Sequence, residues 1–373
     1  MKYIDINWEK AVLKSTEKSN MSTHQQVRKG EELHEVNVKR FLQENGLIHA
    51  VESELLVEQF THGYSNLTYF LKIEGKEYVL RKPPVGATKR GHDMGREYKV
   101  QKALQTQFSK VPKMYGYTED ASLLGAPFYI MEKVDGIILS YAEAKKRSIS
   151  ASDYNTIANS WLDTFVALHQ VDYKTVGLSD LGRPEGYVER QVTNWGKQYL
   201  KAATEEVPAA EAVLKWMQEK QPTSYEHCLI HNDYKYDNIV FKDASWQQVT
   251  AVLDWEMATL GDPLMDLGTS LGYWTVATDH AFIQQGIPSP TIFEGNPMRS
   301  ELAQMYAKKS GRNVDNLVFY YVFGLFKIAV IAQQIYYRYQ KGLTTDPRFA
   351  QLNKASELCC NLALQSIQTN KID

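Results

Sequence analysis

The chain has 373 residues, with 42 Lys and Arg against 44 Asp and Glu for a formal net charge of -2. That balance, without a long block of one sign, gives no electrostatic support to a nucleic-acid or anionic-membrane partner. Three cysteines, two of them adjacent at Cys359 and Cys360, suit neither a disulfide framework nor a zinc site. They fit a reducing cytosol, and the opening residues lack the apolar core of a signal peptide, so a cytoplasmic location is expected.

A chain of this length can bury two cores without a metal or disulfide staple. Residues 1–50 mix charge with apolar positions at helical spacing, as at Leu33, Val36, Val38, Phe41 and Leu42, and predict an N-terminal helical extension. From 51 to 133 the texture turns to strand. The runs Leu55 to Phe60, Leu67 to Ile73 and Tyr78 to Arg81 are separated by His62-Gly63-Tyr64-Ser65-Asn66 and Glu74-Gly75-Lys76, which predicts an antiparallel meander. A charged helical stretch, Arg90 to Phe108, precedes two more strands, Lys113 to Thr118 and Pro127 to Glu132. The expectation is a small lobe of five antiparallel strands and one main helix.

Residues 134–373 read as a larger, mainly helical lobe, with amphipathic segments near 151–170, 186–204, 208–220, 300–309, 316–340 and 349–368. Two short apolar runs among them, Cys228 to Ile230 and Val249 to Leu253, look like strands that end in acidic residues. The fold class is therefore α+β. Leu317 to Ala332 is short of the roughly 20 residues of a membrane span and is interrupted by Lys327, which predicts a buried helix.

The densest chemistry lies in His231-Asn232-Asp233-Tyr234-Lys235-Tyr236-Asp237-Asn238, followed sixteen residues later by Asp254-Trp255-Glu256. Phosphoryl transfer from ATP needs a carboxylate to orient the attacking hydroxyl and accept its proton, oxygen ligands for magnesium, and cations for the triphosphate. The spacing supplies each. Asp233 is the expected base, Lys235 the cation reaching the transferring phosphate, and Asn238 and Asp254 the magnesium ligands.

In these residues the chain resembles the aminoglycoside phosphotransferase and choline kinase-like relatives of protein kinases, whose catalytic loop reads His-x-Asp-x-x-x-x-Asn. Asp254-Trp255-Glu256 resembles that family's metal-binding strand end, and Gly261-Asp262-Pro263 through Asp266-Leu267 the segment after it. The resemblance implies a protein-kinase-like two-lobe fold with ATP and magnesium as cofactors. It further implies that Gly63, Ser65 and Asn66 form a phosphate-covering turn, the glycine permitting close backbone approach. Arg81 stands where the family places the cation that bridges the phosphates and pairs with a helix glutamate, here Glu97. Many relatives have lysine there, but the planar fork of arginine can pair with phosphate and carboxylate, and Lys82 would face the other side of the strand. The resemblance also implies that Phe128 to Gly136 holds the hinge between lobes, where backbone groups of Glu132 and Val134 would meet an adenine edge. His231 is expected to brace the loop, and Asp262 and Asp266 to be loop or helix-cap carboxylates.

One branch matches further. Leu80-Arg81-Lys82-Pro83-Pro84, Asp254 to Pro263, Phe323 to Lys327 and Gln334 to Arg338 look like the kinase domains of acyl-CoA dehydrogenase ten- and eleven-type proteins. The implied acceptor is the hydroxyl of a 4-hydroxyacyl-CoA. From Trp255 onward the chain carries ten acidic and ten basic residues, which argues against a polycationic aminoglycoside. Aromatics such as Tyr273, Trp274, Tyr336 and Tyr337 keep a choline-type acceptor in play. A pseudokinase that binds nucleotide or a partner without turnover is the rival of another class, opposed by the presence of Asp233, Asn238 and Asp254 together.

Overall fold

Alternating strand-forming runs build the first half of the molecule, and residues 24–60, 66–84 and 92–373 are described in this computed structural model. Gly63 and Ser65 of the expected phosphate-covering turn lie outside those residues. In chain order, the first half holds β1 (His24–Gln25), α1 (Glu35–Glu44), β2 (Leu55–Phe60), β3 (Leu67–Ile73), β4 (Lys76–Lys82), α2 (Met94–Leu104), β5 (Met114–Thr118) and β6 (Phe128–Glu132).

The six strands form one sheet in the order β1-β2-β3-β4-β6-β5, every neighbouring pair antiparallel. Five of them are the expected ones. The sixth, β1, corrects the reading of residues 1–50 as leading helices only: His24 pairs with Phe60 at the sheet edge, and a two-residue strand has too few positions to show a period in sequence. The described part of this segment also packs on the sheet. Val38, Phe41, Leu42 and Ile48 are buried in one core with Leu55, Tyr69, Leu80 and Phe128 of the sheet.

Side chains on β4 alternate between the two faces of the sheet. Tyr78 and Leu80 enter that core, and on the same side Lys82 Nζ donates to the Leu124 carbonyl at 2.5 Å. Arg81 therefore faces α2. That helix begins where Asp93 accepts the Arg96 N–H at 3.0 Å, which puts Glu97 in its first turn.

The second half adds β7 (Ile137–Ile138), α3 (Ala151–His169), α4 (Tyr187–Ala202), α5 (Pro208–Lys220), β8 (Cys228–Ile230), β9 (Ile239–Phe241), β10 (Val249–Val252), β11 (Thr259–Gly261), α6 (Pro263–Gly272), α7 (Arg299–Ser310), α8 (Leu317–Gln340) and α9 (Leu352–Thr369). Two small antiparallel sheets, β10-β9-β7 and β11-β8, hold the acidic loops. β8 runs into the His231 loop, β9 leaves it, and β10 ends two residues before Asp254. The Leu253 N–H donates to the Asn238 carbonyl at 2.8 Å and so ties the two loops together.

The apolar helix α8 packs against α4, α6 and α9 with most of its residues buried. At 24 residues it is longer than the expected run and long and apolar enough to cross a membrane, so its burial, not its length, fits the expected core helix. Its crossing with α6 is close. A Cβ on Gly268 would lie 2.2 Å from the Tyr320 carbonyl oxygen, and one on Gly324 would lie 2.1 Å from that of Gly268. Residues 263–272, read from sequence as the segment after a metal-binding strand, are a buried helix capped by Asp262, which accepts the Leu264 N–H at 2.9 Å.

Candidate active site

The loop between β8 and β9 is pinned from beneath by one carboxylate. Asp266, on α6 and fully buried, accepts the His231 N–H at 2.6 Å and the Asn232 N–H at 2.7 Å. Burial works against its charge, but the hydrogen bond and field of His169 and the His231 N–H hold its carboxyl below the usual range. His231 Nδ1 accepts the Asp233 N–H at 3.2 Å and its Nε2 lies 2.9 Å from the Leu253 carbonyl, which assigns the tautomer protonated on Nε2. Burial pushes His231 down, so the ring stays neutral and braces the loop.

Asn232 takes a left-handed backbone, φ +67°, a conformation that asparagine accepts more readily than most residues. The chain turns there, and Asp233 stands above the loop. Asn238 Nδ2 donates to the Asp233 carbonyl at 2.8 Å and to its carboxylate at 2.9 Å, while Lys235 Nζ lies 3.1 Å from the same carboxylate oxygen. Burial lowers the Lys235 ammonium and Asp233 raises it, and the net shift is upward. Lys235 also lies 4.9 Å from the Tyr273 ring centre.

Across from this loop, Arg81 gathers three carboxylates. Its Nη2 lies 2.6 Å from Asp254 and 3.2 Å from Glu256, and its Nε lies 3.6 Å from Glu97. Glu97 is 1% exposed and accepts the Tyr129 O–H at 2.9 Å. Burial pushes the Glu97 carboxyl up against the pull of Arg81; at Asp254 burial also pushes upward, but Arg81 wins and holds it below the ordinary range. Asn66 closes the cluster, its amide donating to Glu256 at 3.0 Å and its oxygen 2.8 Å from His92 Nδ1. Its side chain is thus buried among neighbours rather than aimed outward. Glu132 gives its N–H to the Lys113 carbonyl at 2.8 Å, so anything it offers an adenine edge must come from its carbonyl. Val134 follows on the connection to the helical half, half-buried.

The residues present fit a magnesium ion. Asn238 uses its amide nitrogen on Asp233, which leaves its oxygen free of that contact, and Asp254, a carboxylate, directly follows Leu253, whose N–H meets the Asn238 carbonyl. Among the described residues no three His, Cys, Asp or Glu side chains form a metal cluster. Two oxygen side chains nevertheless suit magnesium, which keeps waters and takes further ligands from phosphates.

Sequence reasoning singled out Asp233, Lys235, Asn238, Arg81, Glu97 and Asp254, and the fold brings them together. It missed how Asp266, Asn232 and Lys327 act. Lys327 sits in the buried face of α8 and donates to the Asn232 carbonyl at 2.6 Å. A lone lysine in an apolar run was the available signal, but nothing in the sequence says which loop it meets.

A sheet lobe with one main helix, a helical lobe, and an Asp-x-x-x-x-Asn loop facing an arginine-bound aspartate together define a protein-kinase-like fold. The model of the phosphotransferase enzyme family matches residues 56–289. A Rattus norvegicus protein, acyl-CoA dehydrogenase family member 11, is 39% identical over 295 residues, 77% of this chain and 37% of that relative. This chain thus spans little more than a third of the relative's length. Among solved structures, a proposed aminoglycoside phosphotransferase from Ralstonia eutropha JMP134 superposes with a TM-score of 0.75 at 30% identity, covering 91% of this chain and 99% of that one. A thermostable mutant of aminoglycoside phosphotransferase APH(4)-Ia, in ternary complex with AMP-PNP and hygromycin B, shares the fold alone: TM-score 0.57, 15% identity, 88% of this chain and 98% of that one. The chain belongs to the phosphotransferase enzyme family.

Proposed function

We propose that this protein transfers the γ-phosphate of ATP to a hydroxyl of a small molecule, and that the acceptor is a 4-hydroxyacyl-CoA. The observation that carries the reaction class is the meeting of Asp233, Lys235 and Asn238 within 3.1 Å on one loop that is tied to Asp254. Asp233 orients the acceptor hydroxyl and takes its proton as the oxygen attacks phosphorus. Lys235 draws charge from the transferring phosphoryl group. Asn238 and Asp254 would hold magnesium, which when bound neutralises charge building on the phosphate oxygens. Arg81, oriented by Glu97, reaches toward the phosphates from the sheet. The AMP-PNP complex of APH(4)-Ia supports ATP as the donor.

The acyl-CoA acceptor rests on the likeness to the rat relative, whose name is that of an acyl-CoA dehydrogenase, and a fold does not fix a substrate. Incubation of the protein with Mg-ATP and a 4-hydroxyacyl-CoA, choline or an aminoglycoside, followed by mass spectrometry, separates the readings. A phosphoryl group added to the acyl-CoA supports the proposal. Addition to choline or the aminoglycoside replaces the acceptor, and the absence of acceptor-dependent ADP release from a wide hydroxyl panel favours the pseudokinase.

A further inference from the structure

Lys327 is the single charged side chain between Leu317 and Ala332, and the residue is 2% exposed. An ammonium is costly to bury unless its surroundings need its charge or its hydrogen bonds. Here three features meet it. Its Nζ donates to the Asn232 carbonyl at 2.6 Å, it lies 5.7 Å from the Trp195 ring centre on α4, and it stands in the field of Asp233.

The Asn232 carbonyl and the Asp233 N–H belong to one planar peptide unit. His231 Nδ1 holds the N–H side at 3.2 Å and Lys327 holds the carbonyl side. The remaining groups of Asn232 are occupied as well: Asp266 accepts its N–H at 2.7 Å, the Met257 carbonyl accepts its amide at 3.1 Å, and its side-chain oxygen accepts the Tyr187 O–H at 3.2 Å. The peptide that launches Asp233 is therefore gripped on both edges at a left-handed residue, where the backbone has little intrinsic preference to stay. Of these grips, only the one from α8 brings a positive charge.

We infer that Lys327 is a positioning residue for Asp233: it locks the 232–233 peptide plane and sets a buried cation behind the base. This rests on the phosphotransferase reading and adds a helix remote in sequence to its machinery. Burial pushes the Lys327 ammonium down to about 8, against Asp233 and Asp266, which raise it, while Lys235 adds to the lowering. Those three groups, with Trp195, are the charged and polarisable neighbours that face it. A wild-type enzyme would then lose rate as pH rises through that value, whereas an arginine stays charged.

The test compares wild type, Lys327→Met, Lys327→Arg and Asp233→Asn, each as the full chain, in Mg-ATP turnover with ADP release as readout. Thermal melts report folding and nucleotide titration reports binding. Loss of about 100-fold in kcat for folded Lys327→Met with nucleotide affinity unchanged supports the inference, since small misplacement of a reacting group costs that much. In Lys327→Arg, partial recovery of rate without the alkaline limb near pH 8 supports it too. Turnover that Asp233→Asn abolishes and Lys327→Met keeps overturns the role of Lys327 alone. If Lys327→Met does not fold, an alkaline limb in Lys327→Arg identical to wild type overturns it. ADP release in wild type no greater than in Asp233→Asn removes the phosphotransferase reading, and the inference falls with it.

Discussion

Arg81 Nη2 lies 2.6 Å from Asp254 Oδ1, which joins the fourth strand of the sheet to the loop after β10 across 173 residues of sequence. The same guanidinium meets Glu97 and Glu256, so one cation serves three carboxylates, one on α2 and two on the loop after β10. Replacing Arg81 by Met leaves buried Glu97 without its cation. Unfolding in urea should show a loss of about 3–5 kcal/mol, the usual cost of orphaning one partner of a buried ion pair. Arg81→Lys, which keeps the charge but not the fork, should fall between. Equal stability of all three proteins would mean that the cluster contributes nothing net.

Asp233→Asn keeps the shape of the base but not its ability to take a proton. Steady-state ADP release should drop by about 10²–10⁴-fold, the range of general-base contributions, with nucleotide binding unaltered. A rate near wild type would show that Asp233 is not the base.

The Asp262 carboxyl, 1% exposed, is pushed up to about 6 by burial. An unfolded aspartate titrates near 3.9, so between these values the folded chain holds the extra proton. Stability from this group is then full below about pH 4 and lost as pH rises through 6, by at most about 3 kcal/mol. Asp262→Asn still caps α6 but carries no charge. Its stability relative to wild type, measured by denaturant unfolding from pH 4 to 7, should rise across that window. A flat difference would contradict the burial argument.

At the crossing of α6 and α8 backbone meets backbone, and no flexible side chain can yield. Gly268→Ala should therefore destabilise by about 1–3 kcal/mol or more, as overpacking does, and lower the urea midpoint. Because Asp266 lies on the same helix two residues away, the variant should also slow ADP release. Retention of full stability would require the helices to separate at no cost.

The strands and long helices were largely legible because period two and period 3.6 survive in Leu67–Ile73 or Tyr187–Ala202 without knowledge of their partners. β1 and β11 were not. Two or three residues carry no period, and each exists only because another strand, β2 or β8, offers its edge. α6 escaped notice for a related reason: buried on nearly all sides, it shows no polar face against which an amphipathic pattern could stand out.

The sequence by itself determined the loop His231 to Asn238 and its residue types, since a carboxylate, an ammonium and an amide within eight consecutive positions are local facts. Alternation along β4 also put Arg81 and Lys82 on opposite faces, and packing decided that Arg81 is the one that meets Glu97 and Asp254. Tertiary structure alone decided what holds those groups in place. Asp266, Lys327 and Glu256 act through contacts between elements 35 to 190 residues apart, and the hydrogen-bond partner of a buried charge is set by packing rather than by its neighbours in the chain.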